Sequence, residues 1–207
     1  MTKSRLEAFS DGVFAIAITL LIIEVRVPHV EEGHSLADAL GDQWAQYVAY
    51  AISFTVIGII WLNHHHVLTE VARVTRRLAL INLALLAAIA FLPFPTALLA
   101  EYVSVGGDRS HVAAAVYTGA MFLTATCFFL LWRYIVRARL HDAALDAPAL
   151  RWRTRRSAVG PVVYAAMLPL AFVSAPLVLA IHCVVGVFYT LDAAAQDRVR
   201  PAGATAG

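Results

Sequence analysis

At 207 residues, with 60% hydrophobic and only 14% charged, the chain is too apolar for an ordinary soluble domain, in which about a quarter of the residues are charged. The formal net charge of +2 conceals a strong segregation: basic residues collect in alternate connecting segments and acidic residues in the others. Anionic lipid is enough to explain such juxtamembrane arginines, so nucleic acid is not an expected partner and a polytopic membrane protein is the expected class.

The first element, about residues 6–27, follows Lys3 and Arg5 and passes through Phe9, Ser10 and Asp11 into an apolar run from Gly12 to Ile23. A carboxylate at the entry of a spanning helix marks a functional hypothesis by default, because its transfer into hydrocarbon costs about 3 kcal/mol or more. Asp11 also breaks the imitation of a secretory signal, and no small-x-small cleavage site precedes Pro28, so a retained span is expected. Ile16, Leu20 and Ile23 recur at i, i+4, i+7 and share one face, with Thr19 at its edge. Two readings of that stripe stand. It packs against neighbouring helices, or several copies of the chain meet along it and stack aliphatic rings that gate by dewetting, with a hydroxyl ring between them. Glu24 and Arg26 close the helix at the lipid–water boundary; on the second reading Glu24 also attracts cations at the outer mouth.

The loop 28–43 is acidic, carrying Glu31, Glu32, Asp38 and Asp42, and is expected to be part helical. A second span, about 44–68, ends in Trp61-Leu62-Asn63-His64-His65-His66. Antiparallel to the first, it brings this cluster to the depth of Asp11, where a histidine donating to Asp11, with Asn63, Asn82 or Arg5 completing the network, satisfies polar groups that lipid cannot. Such a network confers pH sensitivity, since histidine titrates near neutrality. Consecutive histidines diverge by about 100° on a helix, so they cannot converge on one ion; His66 and Glu70 alone share a face, and no metal is expected.

Arg73, Arg76 and Arg77 precede a third span at about 78–102, and a fourth follows at about 111–136. The basic, alanine-rich segment 137–156, with seven arginines counted from Arg133 to Arg156, is expected to prolong the fourth helix into the cytoplasm. The stretch from about 158 to 191 reads as two short helices, 158–173 and 177–191, broken at Ser174-Ala175-Pro176; a membrane-buried hairpin is the alternative. Cys127, Cys183 and His182 read as packing residues within apolar runs. The expected architecture is therefore all-α: a six-helix transmembrane domain over 1–192, both termini cytoplasmic by the positive-inside rule, and a flexible tail over 193–207. No internal repeat is visible, so a symmetric pore requires several copies of the chain. No phosphate-cradling glycine loop, Gly-x-Ser-x-Gly or His-Glu-x-x-His occurs, so no enzyme is expected, and the potassium-filter motif Thr-Val-Gly-Tyr-Gly is also absent.

Arg5-x-x-x-Phe9-Ser10-Asp11, followed by Gly-Val-Phe-Ala-Ile-Ala-Ile-Thr-Leu-Leu, resembles the first-helix signature of the bacterial relatives of transmembrane protein 175, the lysosomal potassium channel. Trp61-Leu62-Asn63-His64-His65, and the stretch from Asn82 to Leu92-Pro93-Phe94-Pro95, resemble that family's second and third helices. The resemblance spans about half the chain and implies a multi-pass channel of the bacterial inner membrane, modestly selective for potassium over sodium, needing no cofactor beyond the permeant ion. It implies a homotetramer around the first helix, a constriction at Ile16, Leu20 and Ile23, and a selectivity role for Thr19. Arg5, Phe9, Ser10 and Asp11 match the signature that ties this helix into the bundle, in a polar network with Trp61, Asn63, His64, His65 and Asn82. The competing class is a proton-coupled secondary transporter using Asp11 and the cluster His64 to His66; its expected marks, inverted repeats with helices broken at matching positions, are not seen.

Overall fold

The computed structural model describes residues 2–30, 33, 35–182 and 184–187. Cys183, the end of the sixth expected span and the tail 193–207 lie outside the described residues. The fold is all-α: α1 (Lys3–Leu20) with a 3-10 extension (Leu21–Glu24), the short α2 (Leu36–Asp42), α3 (Trp44–Thr69), α4 (Arg76–Phe91), α5 (Pro93–Tyr102), α6 (Gly107–Arg137) and α7 (Ala147–Leu170). A shorter apolar helix, α8, covers Ala175–Val187. Four stretches are long and apolar enough to cross a membrane among the described residues: Lys3–Glu24, Gln46–Thr69, Arg76–Tyr102 and Gly107–Arg137.

Local chemistry sets most of the boundaries. Ser35, Thr75 and Asp146 cap α2, α4 and α7 by accepting hydrogen bonds from the main-chain N–H groups of Ala37, Leu78 and Ala149 at 3.1, 3.1 and 2.8 Å. Pro93 has no N–H to give Ile89, so the third apolar stretch breaks into α4 and α5 at Leu92. Gly106 and Gly107, at φ +74° and +62°, make the left-handed turn from α5 into α6.

The basic segment behaves differently from expectation. It does not prolong the fourth span: α6 stops at Arg137, where Arg139 takes φ +51° and the Leu140 N–H returns to the Ile135 carbonyl at 3.0 Å. It is α7 that reaches back to Ala147, because the Asp146 cap and Pro148 in the first turn start a helix there. Arg151, Arg153, Arg155 and Arg156 therefore sit on the lower turns of the fifth long helix. Val71 and His141 pair as an isolated antiparallel bridge, with Ala72 N–H to Leu140 O and Asp142 N–H to Glu70 O both at 2.8 Å, so the α3–α4 and α6–α7 connections are stitched together. The expected break falls slightly earlier than Ser174-Ala175-Pro176: α7 ends at Leu170, residues 171–174 make the turn, and Ala175 and Pro176 already belong to the first turn of α8, where a proline needs no N–H partner.

The core is shared by α1, α4, α6 and α7. Leu6, Phe14, Ala17 and Leu21 bury one stripe of α1; Leu78, Leu85 and Ile89 bury one of α4; Ala113, Ala114, Tyr117 and Met121 answer from α6. Small residues on α6 let neighbouring backbones approach, as helices in lipid require. α1 packs on α3 and α4, α3 on α5, and α6 on α4, α5 and α7.

Candidate functional site: a bare helix face and its buried anchor

α1 is two-faced. Phe14 and Ala17, each 1% exposed, lie in the core, whereas Ile16, Leu20 and Ile23 are 61%, 41% and 68% exposed. Phe9 and Thr19 are exposed on the same outer side. The helix tightens to 3-10 geometry at Leu21, where residues three apart eclipse, so Ile23 stays stacked over Leu20. Thr19 Oγ donates to the Ile16 carbonyl at 2.9 Å, which uses its proton on the backbone and leaves its oxygen lone pairs facing outward as acceptors.

The opposite side of α1 is held by a directional polar relay. Ser10 Oγ donates to the Leu6 carbonyl at 2.8 Å and accepts from Asn82 Nδ2 at 3.0 Å. Asn82 Oδ1 in turn meets His64 Nε2 at 2.7 Å, and since the amide oxygen can only accept, Nε2 carries the proton. Ser10, His64 and Asn82 are all buried, and the His64 ring also packs on Phe14 at 5.3 Å between centroids. Three helices are thus fixed against one another at one depth, with every link donor-to-acceptor.

Asp11 points the other way. Its expected histidine donor is corrected: Asp11 Oδ1 accepts from Trp61 Nε1 at 2.8 Å, on the exposed side of the α1–α3 seam. Ser10 and Asp11 are adjacent, and the rotation of about 100° between them puts one in the core and the other outside. Trp61 lies one turn before His65 on α3, near enough for their rings to pack at 6.3 Å, and it reaches Asp11 first. Asn63 stands apart from this network, donating to the Ile59 carbonyl of its own helix at 2.9 Å, and Arg5 is exposed. Lys3, read from the sequence only as part of the basic flank of the first span, ties the start of α1 to the end of α3 through the Thr69 carbonyl at 2.9 Å. His66 and Glu70 are on a different side of α3, and no group of three or more His, Cys, Asp or Glu converges among the described residues. The Asp11–Trp61 bond is exposed, so Trp61→Phe should lower the melting midpoint only slightly, by about 0.5–1.5 kcal/mol of stability, as read by thermal unfolding in detergent.

These features define a class: an all-α membrane bundle with one helix anchored by a polar relay on its inner side and bare along its outer side. A family model described as the endosomal/lysosomal potassium channel TMEM175 matches residues 5–93. A potassium channel of Streptomyces collinus is 51% identical over 189 residues, covering 90% of this chain and 91% of that protein. A potassium channel of Chamaesiphon minutus is 38% identical over 190 residues, covering 90% of this chain and 93% of its own length. The crystal structure of a lysosomal potassium-selective channel TMEM175 homologue from Chamaesiphon minutus superposes with a TM-score of 0.82 at 36% identity, over 92% of this chain and 97% of that one. The chain belongs to the TMEM175 family, whose members named here are ion channels and not enzymes.

Proposed function

We propose that the chain is one subunit of a potassium-permeable cation channel, in which copies of α1 face a common axis. The observation that carries this reading is the division of α1: its aliphatic stripe is exposed to everything outside its own subunit, while its other side is anchored by Ser10, His64 and Asn82. Ile16, Leu20 and Ile23 then form a hydrophobic constriction, and the outward lone pairs of Thr19 provide oxygen ligands just beside it. An aliphatic ring cannot replace a hydration shell, so potassium passes partly hydrated and the preference over sodium is modest. A chain with one such unit needs several copies, four as in the bacterial branch of the family, in the inner membrane. The segregation of arginines supports six crossings with both termini in the cytoplasm, α7 and α8 supplying the last two.

Flux from liposomes holding the purified protein tests the proposal. Voltage-driven potassium flux several-fold faster than sodium flux, persisting without a proton gradient, is the expected result. Flux that requires a proton gradient would instead establish a coupled transporter and transfer attention to Asp11 and the histidines.

A further inference from the structure

α1 carries four charged side chains, Lys3, Arg5, Glu7 and Asp11, and three of them are held. Lys3 pairs with Glu7 at 3.9 Å besides reaching the Thr69 carbonyl, and Asp11 accepts from Trp61. Arg5 is exposed, and neither a hydrogen bond nor an ion pair holds it among the described residues. Its guanidinium therefore has no role in fixing α1 within the subunit.

Its place on the helix is informative. At about 100° per residue, Arg5 lies about 20° around α1 from Ile16 and about 40° from Phe9. Asp11 is about 120° away, and Lys3 and Glu7 about 160°. Phe9 and Ile16 are 56% and 61% exposed, so Arg5 begins the same bare stripe. The rise from Arg5 to Ile16 is about 16 Å, which puts the guanidinium at the mouth, on the end that the segregation of arginines assigns to the cytoplasm. Where that stripe faces a common axis, Arg5 faces it too and is turned away from lipid.

We propose that Arg5, one per copy, forms a ring of fixed positive charge at the cytoplasmic mouth, and that this ring lets potassium enter the cell more easily than it leaves. The inference rests on the reading that copies of α1 line the pathway. The ring lowers the local potassium concentration at that mouth and so starves outward current, while ions arriving from outside need only pass it on exit. Glu7 does not offset it, being paired with Lys3 and pointing away from the stripe. Asp11 lies about 9 Å deeper and is turned into the α1–α3 seam by Trp61. Arginine stays charged at every physiological pH, so the asymmetry is built in and not switched by protons.

The test is current through inside-out patches holding the full-length protein in symmetric potassium chloride. Wild type should pass several-fold less current outward than inward at 0.01 M, where charges act over about 30 Å, and equal currents at 1 M, where they act over about 3 Å. At low salt Arg5→Gln should remove the asymmetry and Arg5→Glu should reverse it. Arg77→Gln, which deletes an exposed charge at the start of α4, should keep it. Arg5→His decides the matter if Arg5→Gln fails to assemble: one and the same protein should be asymmetric near pH 5 and symmetric near pH 8, with wild type asymmetric at both. Symmetric wild-type currents at low salt, an asymmetry that survives in Arg5→Gln, or equal losses in Arg5→Gln and Arg77→Gln would each overturn the proposal. Ile16→Asn is measured alongside. If it alters conduction while the Arg5 series does not, only the charged ring is lost; if neither alters it, the α1 pathway falls as well.

Discussion

Replacing Ile16 by Asn, or Leu20 by Ala, should raise ion flux through the reconstituted assembly by on the order of tenfold while leaving the fold intact. A tenfold rate change needs about 1.4 kcal/mol of barrier. Each methylene carries about 0.8 kcal/mol of preference for a dry environment, and each substitution acts once in every copy around the axis, so even a fractional effect suffices. The fold should survive because both side chains are largely exposed within the subunit, where substitutions usually change stability by less than about 0.5 kcal/mol. Single-channel or liposome-flux measurements on assembled variants are decisive. Wild-type flux in both would remove the first helix from the conduction path and leave its bare face as a surface for lipid or for another helix.

Asn82→Ala should be the most destabilising single change in the anchor. It leaves the His64 Nε2 proton without an acceptor in a buried setting, at about 1–3 kcal/mol, and opens a small cavity between Ser10 and His64. For a chain of this size each kcal/mol moves the melting midpoint by about 2–4 °C, so a drop of several degrees is expected in a detergent melt. Ser10→Ala should be milder, because the hydroxyl's own bond goes to a helix carbonyl and only one Asn82 N–H loses its partner. The double variant should lose less than the sum of the two, since removing Asn82 already breaks the link to Ser10. Strict additivity would show that the three groups are independent and that α1 is held by its apolar contacts alone.

Much of the architecture was legible along the chain because it depends on short-range chemistry. Hydropathy located the four long apolar stretches, Pro176 marked the start of the last apolar helix, and the i, i+4, i+7 spacing put Ile16, Leu20 and Ile23 on one face, whereas the break at Pro93 divides what reads along the chain as one span over 78–102. The start of α7 was legible in principle too, since Asp146 with Pro148 is a helix-initiating pattern; the run of arginines drew the reading toward the preceding helix instead. The family motif, from Arg5 to Pro95, was equally readable.

What the sequence by itself determined is the class, the order of the helices and the identity of the stripe, because all three follow from residue type and spacing. Only the tertiary structure decided which polar groups meet. His64, His65 and His66 are consecutive, yet one joins Asn82 in the core, one lies beside Trp61 at the α1 seam, and one lines a cavity with Glu70. A hydrogen bond tolerates an error of a few tenths of an ångström, while a one-residue rotation of a helix swings a side chain through about 100°. Which of three neighbouring histidines finds a partner is therefore set by how α1, α3 and α4 are rotated against each other, and that rotation is fixed by the packing of Phe14, Leu78, Leu85 and their neighbours across the whole bundle.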